Sequence, residues 1–448
     1  MKQVSYVFVI ILLLLQSTAF AANLYVRDGA SGSCTTSWSN ACDSIITAET
    51  AASRGDTIYV ADGTYTGGVD FNTPTSGSTL ITIKKATSAD HGSEVGWSSA
   101  YGDGTDETGA VFTGEIAFST SYYVFDGVTG GGPGSWETGF GFHVHRSGGG
   151  AKAFRIGQYD GNGDNITVRH VNVQNSGEDV DGNADTFYVT DGDYLTVQYC
   201  WIHDTNRTNF LLDASDNFLL EYSLISERHH ADGVHGEAIS INSSGIGADT
   251  VIRYNIFRNS EGTGTILIKD SVQSGFEIYG NVFYNTNITR YFNSNGIISD
   301  TTGDSTTYAK VYNNTFLPHR NGLGSKISYV SWDVSTGNEF KNNVVFDADG
   351  IGGSSRSYNL YDDNTLASGE TGGQYFSSGQ AALFTDSSTY DYTLKIDTDA
   401  GTDLSGTYTE DMLGNTFGAD GTWDRGAYEY DSGAAPTPAN SIQGVTIN

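Results

Sequence analysis

The chain has 448 residues, and its 53 Asp and Glu against 22 Lys and Arg give a formal charge of −31. A field of that sign opposes nucleic acid and anionic membranes, and it repels a polyanionic ligand unless a cation intervenes. With 57 Gly, 27 Tyr and 22 Phe but 5 Pro, the composition predicts many short strands joined by tight turns and no long amphipathic helix.

The first element is Lys2, an apolar run from Val7 to Leu15 and then Ala19-Phe20-Ala21, the layout of a secretory signal over residues 1–21. The run is too short to span a bilayer and no later stretch approaches about 20 apolar residues, so a secreted chain without membrane insertion is expected from Ala22 onward. Cys34 and Cys42 lie close together in a polar loop, while Cys200 stands alone in an apolar stretch. One small disulfide and one buried thiol are expected, which an oxidising compartment permits. Within residues 43–60, Ala48 to Arg54 reads as a short helix that leads into a strand.

A phrase then recurs: "VRHVNVQN" from Val168, "VQYCWIHD" from Val197, "LEYSLISE" from Leu220, "IRYNIFRN" from Ile252, "IYGNVFYN" from Ile278, "VYNNTFLP" from Val311 and "FKNNVVFD" from Phe340. The spacing varies while the phrase does not, which predicts a solenoid whose loops change length. A second short strand lies between successive phrases, among them "NFLLDA" (209–214), "AISINS" (238–243) and "TILIKD" (265–270). Strand, turn, strand at this period is one coil of a parallel β-helix, with coils stacked at about 4.8 Å. The fourth position of the phrase reads Val171, Cys200, Ser223, Asn255, Asn281, Asn314, Asn343. Aligned asparagines predict an inward ladder of side-chain amides, and they make Cys200 a packing residue.

These repeats resemble the secreted right-handed parallel β-helix superfamily, the pectate-lyase-like fold. "LYVRDGASGSCTTSWSNACDSI" with "RGDTIYVADGTYTG" is similar to that superfamily's capping segment and first coil, and "DMLGNTFGADGTWDRGAYEY" (411–430) to its closing segment. The resemblance implies an all-β right-handed solenoid with an N-terminal cap over 22–430, followed by a flexible tail over 431–448. It leaves function open, because one fold hosts many chemistries.

"HHADGVHGEAIS" (229–240) packs three of the chain's nine histidines beside Asp232 and Glu237. Counting from the phrase starts stacks His203, Asp204 and Arg207 on one coil against Glu227, His229 and His230 on the next and Arg258, Asn259 and Glu261 on the third. Aligning Leu212, Ile241 and Ile268 inward places Asp213, Asn242 and Lys269 as outward neighbours on consecutive coils. Strict alternation puts Glu237 on the side of Ile239, so Glu237 must sit in the turn before the strand if it is to face solvent.

"HGEAISIN" (235–242) resembles the Glu-x-Ile-Ser stretch of the chondroitinase B and alginate-lyase branch. That resemblance implies that Glu237 helps to hold a calcium ion on a uronate carboxylate. The branch has its lysine base five residues later, where this chain has Asn242, and no arginine stands at the expected place on the next coil. β-Elimination needs one group to remove the C5 proton and another to neutralise the carboxylate. Lys269, His235 and His230 are therefore the candidate bases, Glu237 and Asp232 the candidate Ca²⁺ ligands, and Asp213, Asn242, His203 and Arg253 the candidate groove residues.

The histidines lack the helical spacing of zinc enzymes. Asp179, Asp181 and Asp185 alternate as calcium loops do without completing the pattern. The Asp-Asp pair and Gly-His-Gly signature of the polygalacturonase branch are absent. The expected protein is a monomeric, extracellular, Ca²⁺-assisted lyase of an acidic polysaccharide, with no nucleic-acid partner. The rival is a non-catalytic glycan-binding or adhesion module.

Overall fold

The computed structural model describes residues 21–92, 95–148, 150–157, 163–175, 184–228, 236–242, 249–269, 274–288, 291, 293–300, 307–331 and 337–430. Residues 1–20 of the expected secretion signal (1–21) and the expected tail, 431–448, lie outside them. Among the described residues no helix is long and apolar enough to cross a membrane.

Each coil gives one short strand to each of three parallel sheets, of 12, 12 and 10 strands. One coil runs Thr196–Gln198 in the first sheet, Trp201–His203 in the second and Thr208–Asp213 in the third. The next begins at Leu219–Glu221, with Leu220 in register beside Val197. The result is a right-handed parallel β-helix, wound in the sense that parallel crossovers take.

The repeated phrase makes the bend between the first and second sheets. Its third residue takes a left-handed conformation at His170, Tyr199, Tyr222 and Tyr254, with φ of 57°, 52°, 49° and 57°. The turn throws the fourth residue inward. Asn281 shows what that residue does: its Nδ2 donates to Ile252 O (2.8 Å), Tyr279 O (3.0 Å) and Asn314 Oδ1 (3.0 Å). Its Oδ1 accepts from the N–H and Nδ2 of Asn255. The ladder runs Asn255, Asn281, Asn314, Asn343 and on to Asn359, which donates to the Glu370 carboxylate. Toward the N-terminus it passes through Ser223 to Cys200. Burial pushes the Cys200 thiol up to about 12, so it packs and does not attack.

Inside, one aromatic per coil stacks on the next, as in Phe154, Phe187 and Phe210 at 4.6 and 4.7 Å, and Phe257, Phe283 and Phe316 at 4.8 Å each. Such a column buries large apolar area while keeping the coils in register.

Both ends are closed. At the start, Cys34 and Cys42 form the disulfide. The helix spans Ile45–Ala51, three residues earlier than the sequence suggested, because Ser44 accepts a hydrogen bond from Thr47 N–H and sets its first turn. At the end, residues 408–430 pack at the bend between the first and second sheets of the later coils, where Tyr408 stacks on Tyr279 at 4.5 Å and its hydroxyl donates to Asn313 Oδ1 at 2.6 Å.

The Glu429 carboxylate accepts from Gly418 N–H and Asp424 N–H within that segment. Burial, reinforced by Asp424, pushes its pKa from the ordinary 4.5 up to about 8. A carboxyl raised on folding contributes stability that is complete below about pH 4.5 and is lost as pH rises through 8. The wild-type melting temperature is therefore expected to fall over pH 5–8, and Glu429→Gln to flatten that fall. An unchanged slope in the variant would refute the assignment.

Candidate functional site

The site is built on the third sheet and on the corner that leads into it from the second. Thr190 pairs with Asp213, Leu212 with Ile241, and Asn242 with Lys269. Leu212, Ile241 and Ile268 are buried inward, so Asp213, Asn242 and Lys269 form the expected outward row and are half-buried.

The corner is a polar stack, as the coil alignment anticipated. Left-handed residues Asp204, Glu227 and Asn259 make the bend. Gln174 Nε2 donates to Asp204 Oδ2 at 2.8 Å, and Arg258 grips Glu227 through Nε and Nη2 at 2.9 Å each, with Asn259 Nδ2 at 3.0 Å.

Other expected groove residues point elsewhere. His203 is buried on the second sheet, stacked on Trp201 at 3.8 Å, with Nδ1 against Asp204 (3.0 Å) and Nε2 against Asn172 Oδ1 (2.8 Å). Arg253 is on the first sheet, bonded to Glu221 Oε2 at 2.6 Å and to the Tyr279 hydroxyl at 2.9 Å. These two do not join Asp213, Asn242 and Lys269, because the three sheets face different directions. His230, His235, Asp232, Asp179 and Asp181 lie outside the described residues.

Glu237 departs from the expectation of a solvent-facing turn. It is the first residue of the strand Glu237–Asn242, in register with Thr208 and Gly264, and 1% exposed. It shares inward parity with Ile239, and what it meets there is a cation. Arg228 is equally buried, and Glu237 leads the acidic groups acting on it, followed by Glu261. Burial nonetheless lowers the guanidinium to about 10. Arg228 Nη1 also donates to Arg207 O at 2.8 Å.

Two coils earlier in the same register row lies a second ionic group. Asp185, fully buried, takes Lys152 Nζ at 2.6 Å and Arg207 Nη1 at 3.1 Å, both on Oδ2. Burial raises the Asp185 carboxyl and the two cations lower it, the first effect prevailing. The Lys152 ammonium sits 5.1 Å from the centre of the Tyr188 ring, which faces outward on the third sheet. Lys152, Tyr188 and Arg228 were missed in the sequence; extending the second-strand alignment back to "KAFRI" (152–156) would have set Lys152 beside Asp185, its register partner.

Of the expected calcium ligands Glu237 and Asp232, only Glu237 lies among the described residues. Glu237 is buried against a guanidinium, Asp185 is held by two cations, and among the described residues no three His, Cys, Asp or Glu side chains converge on a cation position.

The three stacked parallel sheets define the class, a right-handed parallel β-helix. No family model matches the chain, and no curated protein matches it. Similar solved structures include the pectate lyase Pel9A (14% identity, 92% of this chain and 98% of that one, TM-score 0.49). Others are the PL6 family polysaccharide lyase Pedsa3628 from Pseudopedobacter saltans (13%, 72% and 92%, 0.43) and a mutant of the PL6 family alginate lyase AlyGC (13%, 76% and 40%, 0.46). These likenesses carry no chemistry to this chain.

Proposed function

We propose that the protein is a secreted, monomeric enzyme that cleaves an acidic extracellular polysaccharide by β-elimination. The observation that supports this is the in-register row Asp213, Asn242 and Lys269 on the outside of the third sheet, which sets an amine beside an amide donor on a surface long enough for a sugar chain. In this reading the Lys269 side-chain nitrogen takes the C5 proton of a uronate. The electron pair forms the C4–C5 double bond, the C4–O bond breaks, and water protonates the leaving oxygen. Asn242 Nδ2 donates to the carboxylate as charge develops there.

The test is ultraviolet absorbance of unsaturated ends released from alginate, pectate or a chondroitin-type glycan. At least one is expected to give a rising signal, and Lys269→Met to lower the rate by about 100-fold, the scale of a lost general base. No unsaturated product from any of the three would overturn the reading. Retention of the glycan without cleavage would favour the non-catalytic binding module instead.

A further inference from the structure

The strand Asn23–Val26 lies at the open end of the first sheet, paired on one side with Thr57–Val60. On its other side it is held by the loop that the disulfide closes: Tyr25 N–H donates to Cys34 O at 2.7 Å, and Cys42 N–H to Tyr25 O at 3.0 Å. Just before this strand, Ala22 is fixed by both of its backbone groups. Its carbonyl accepts from Thr57 N–H at 3.0 Å, and its own N–H donates to Asp56 Oδ1 at 2.7 Å. The other oxygen of Asp56 accepts from Ser53 N–H at 2.8 Å.

Asp56 is only 6% exposed, and among the described residues no cation pairs with it. The charged groups nearby are engaged elsewhere. Arg54, on the same turn, donates to Thr73 O, Pro74 O and Tyr122 O. Lys84, two strands along, pairs with Asp90, and Glu49 of the helix accepts from Asn72, Thr73 and Tyr123. A carboxylate buried without a counter-charge is costly, and the atom nearest to becoming one is the Ala22 nitrogen.

Ala21 and Ala22 are both exposed, and the bond between them is where the sequence ends its signal-like segment. We propose that cleavage of this bond supplies the missing cation: the new α-ammonium of Ala22 pairs with Asp56 and locks the N-terminal cap. The step is a hydrolysis by a signal-removing protease. The C–N bond breaks, water gives its hydroxyl to the Ala21 carbonyl carbon and a proton to the Ala22 nitrogen, and the amine takes a second proton as the new carboxyl group ionises. The nitrogen need not move, because the Ala22 carbonyl and the strand register already hold it at Oδ1. Both fastenings of the first strand, disulfide and ammonium, then arise only in an exported chain, so the cap closes after export. The inference rests on the secretion in the reading above and is independent of its elimination chemistry.

The test starts from the intact mass and amino-terminal sequence of the full chain exported by a bacterial host, which is expected to begin at Ala22. The α-amine is then titrated by its rate of acylation against pH. Pairing with a carboxylate should raise its pKa about one unit above the usual value of about 8, which slows labelling about tenfold at neutral pH. Asp56→Asn, and a chain carrying one extra glycine before Ala22, should both label at the ordinary rate. The mature chain should also melt about 2 °C above the glycine-extended one. An amine raised on folding stabilises fully below about pH 8, and the effect is lost as pH rises through about 9, so this difference should vanish by about pH 10. If Asp56→Asn does not fold, the extended chain, which keeps Asp56, decides. A chain that begins at any other residue, or an α-amine that labels equally fast in the mature and extended chains, would overturn the proposal.

Discussion

Replacing Asn281 with alanine is expected to cost the fold about 3–5 kcal/mol, among the largest effects of any single change away from the charged corner. The side chain takes part in five hydrogen bonds across three coils, and all of its partners are in the interior. Alanine leaves the Asn255 N–H without its acceptor, takes one of three acceptors from Asn255 Nδ2, and removes a donor from Ile252 O, Tyr279 O and Asn314 Oδ1. Water cannot replace it, because Asn255, Asn281 and Asn314 are all 0% exposed. Asn281→Asp should be at least as damaging: it keeps the acceptor but loses the donor and brings an anion against three oxygens. Denaturant melts at neutral pH would show it. A loss under about 1 kcal/mol for Asn281→Ala would mean that the ladder reports register without sustaining it.

The same ladder explains why the fold was legible in the sequence. A solenoid repeats its environments, so the residue at one position of each coil meets the same demand, and the inward corner of the phrase demands an amide. Asn255, Asn281, Asn314 and Asn343 answer it and align by eye. Asn359 answers it too but was hidden, because it follows Asn343 by only 16 residues and its phrase, "RSYNLYDD", begins on a charged residue. The outward row Asp213, Asn242 and Lys269 was readable for a related reason: strand parity, once fixed by Leu212, Ile241 and Ile268, is mechanical.

The charged corner was not readable. Glu237 shares the parity of Ile239, and parity alone says inward; only the resemblance to a calcium-binding glutamate argued for solvent. What decides between them is Arg228, nine residues earlier and across a bend, and a pair of that kind leaves no periodic trace. His203 and Arg253 illustrate the other failure. Alignment of phrases gives each residue its coil but not its face, and groove residues have to share a face.

Arg228→Met is expected to destabilise the protein by about 3–5 kcal/mol, since it takes away the cation that Glu237 faces and the donor to Arg207 O. Glu237→Gln should also be costly, because it leaves the Arg228 guanidinium buried with its main opposing charge gone. The double variant Arg228→Met, Glu237→Gln should lose less than the sum of the two, because it removes both charges and neither is left to be buried alone. The cycle discriminates between two roles for Glu237. As an internal counter-ion it couples to Arg228 by more than 1 kcal/mol, and added calcium does not raise the wild-type melting temperature. As a metal ligand it stabilises the folded state by calcium binding, which grows with free calcium and vanishes in Glu237→Gln. Strict additivity together with a calcium-dependent melting temperature would return Glu237 to the metal. Strong coupling with no calcium effect would leave Glu237 and Arg228 as an internal pair whose guanidinium also holds the Arg207 carbonyl.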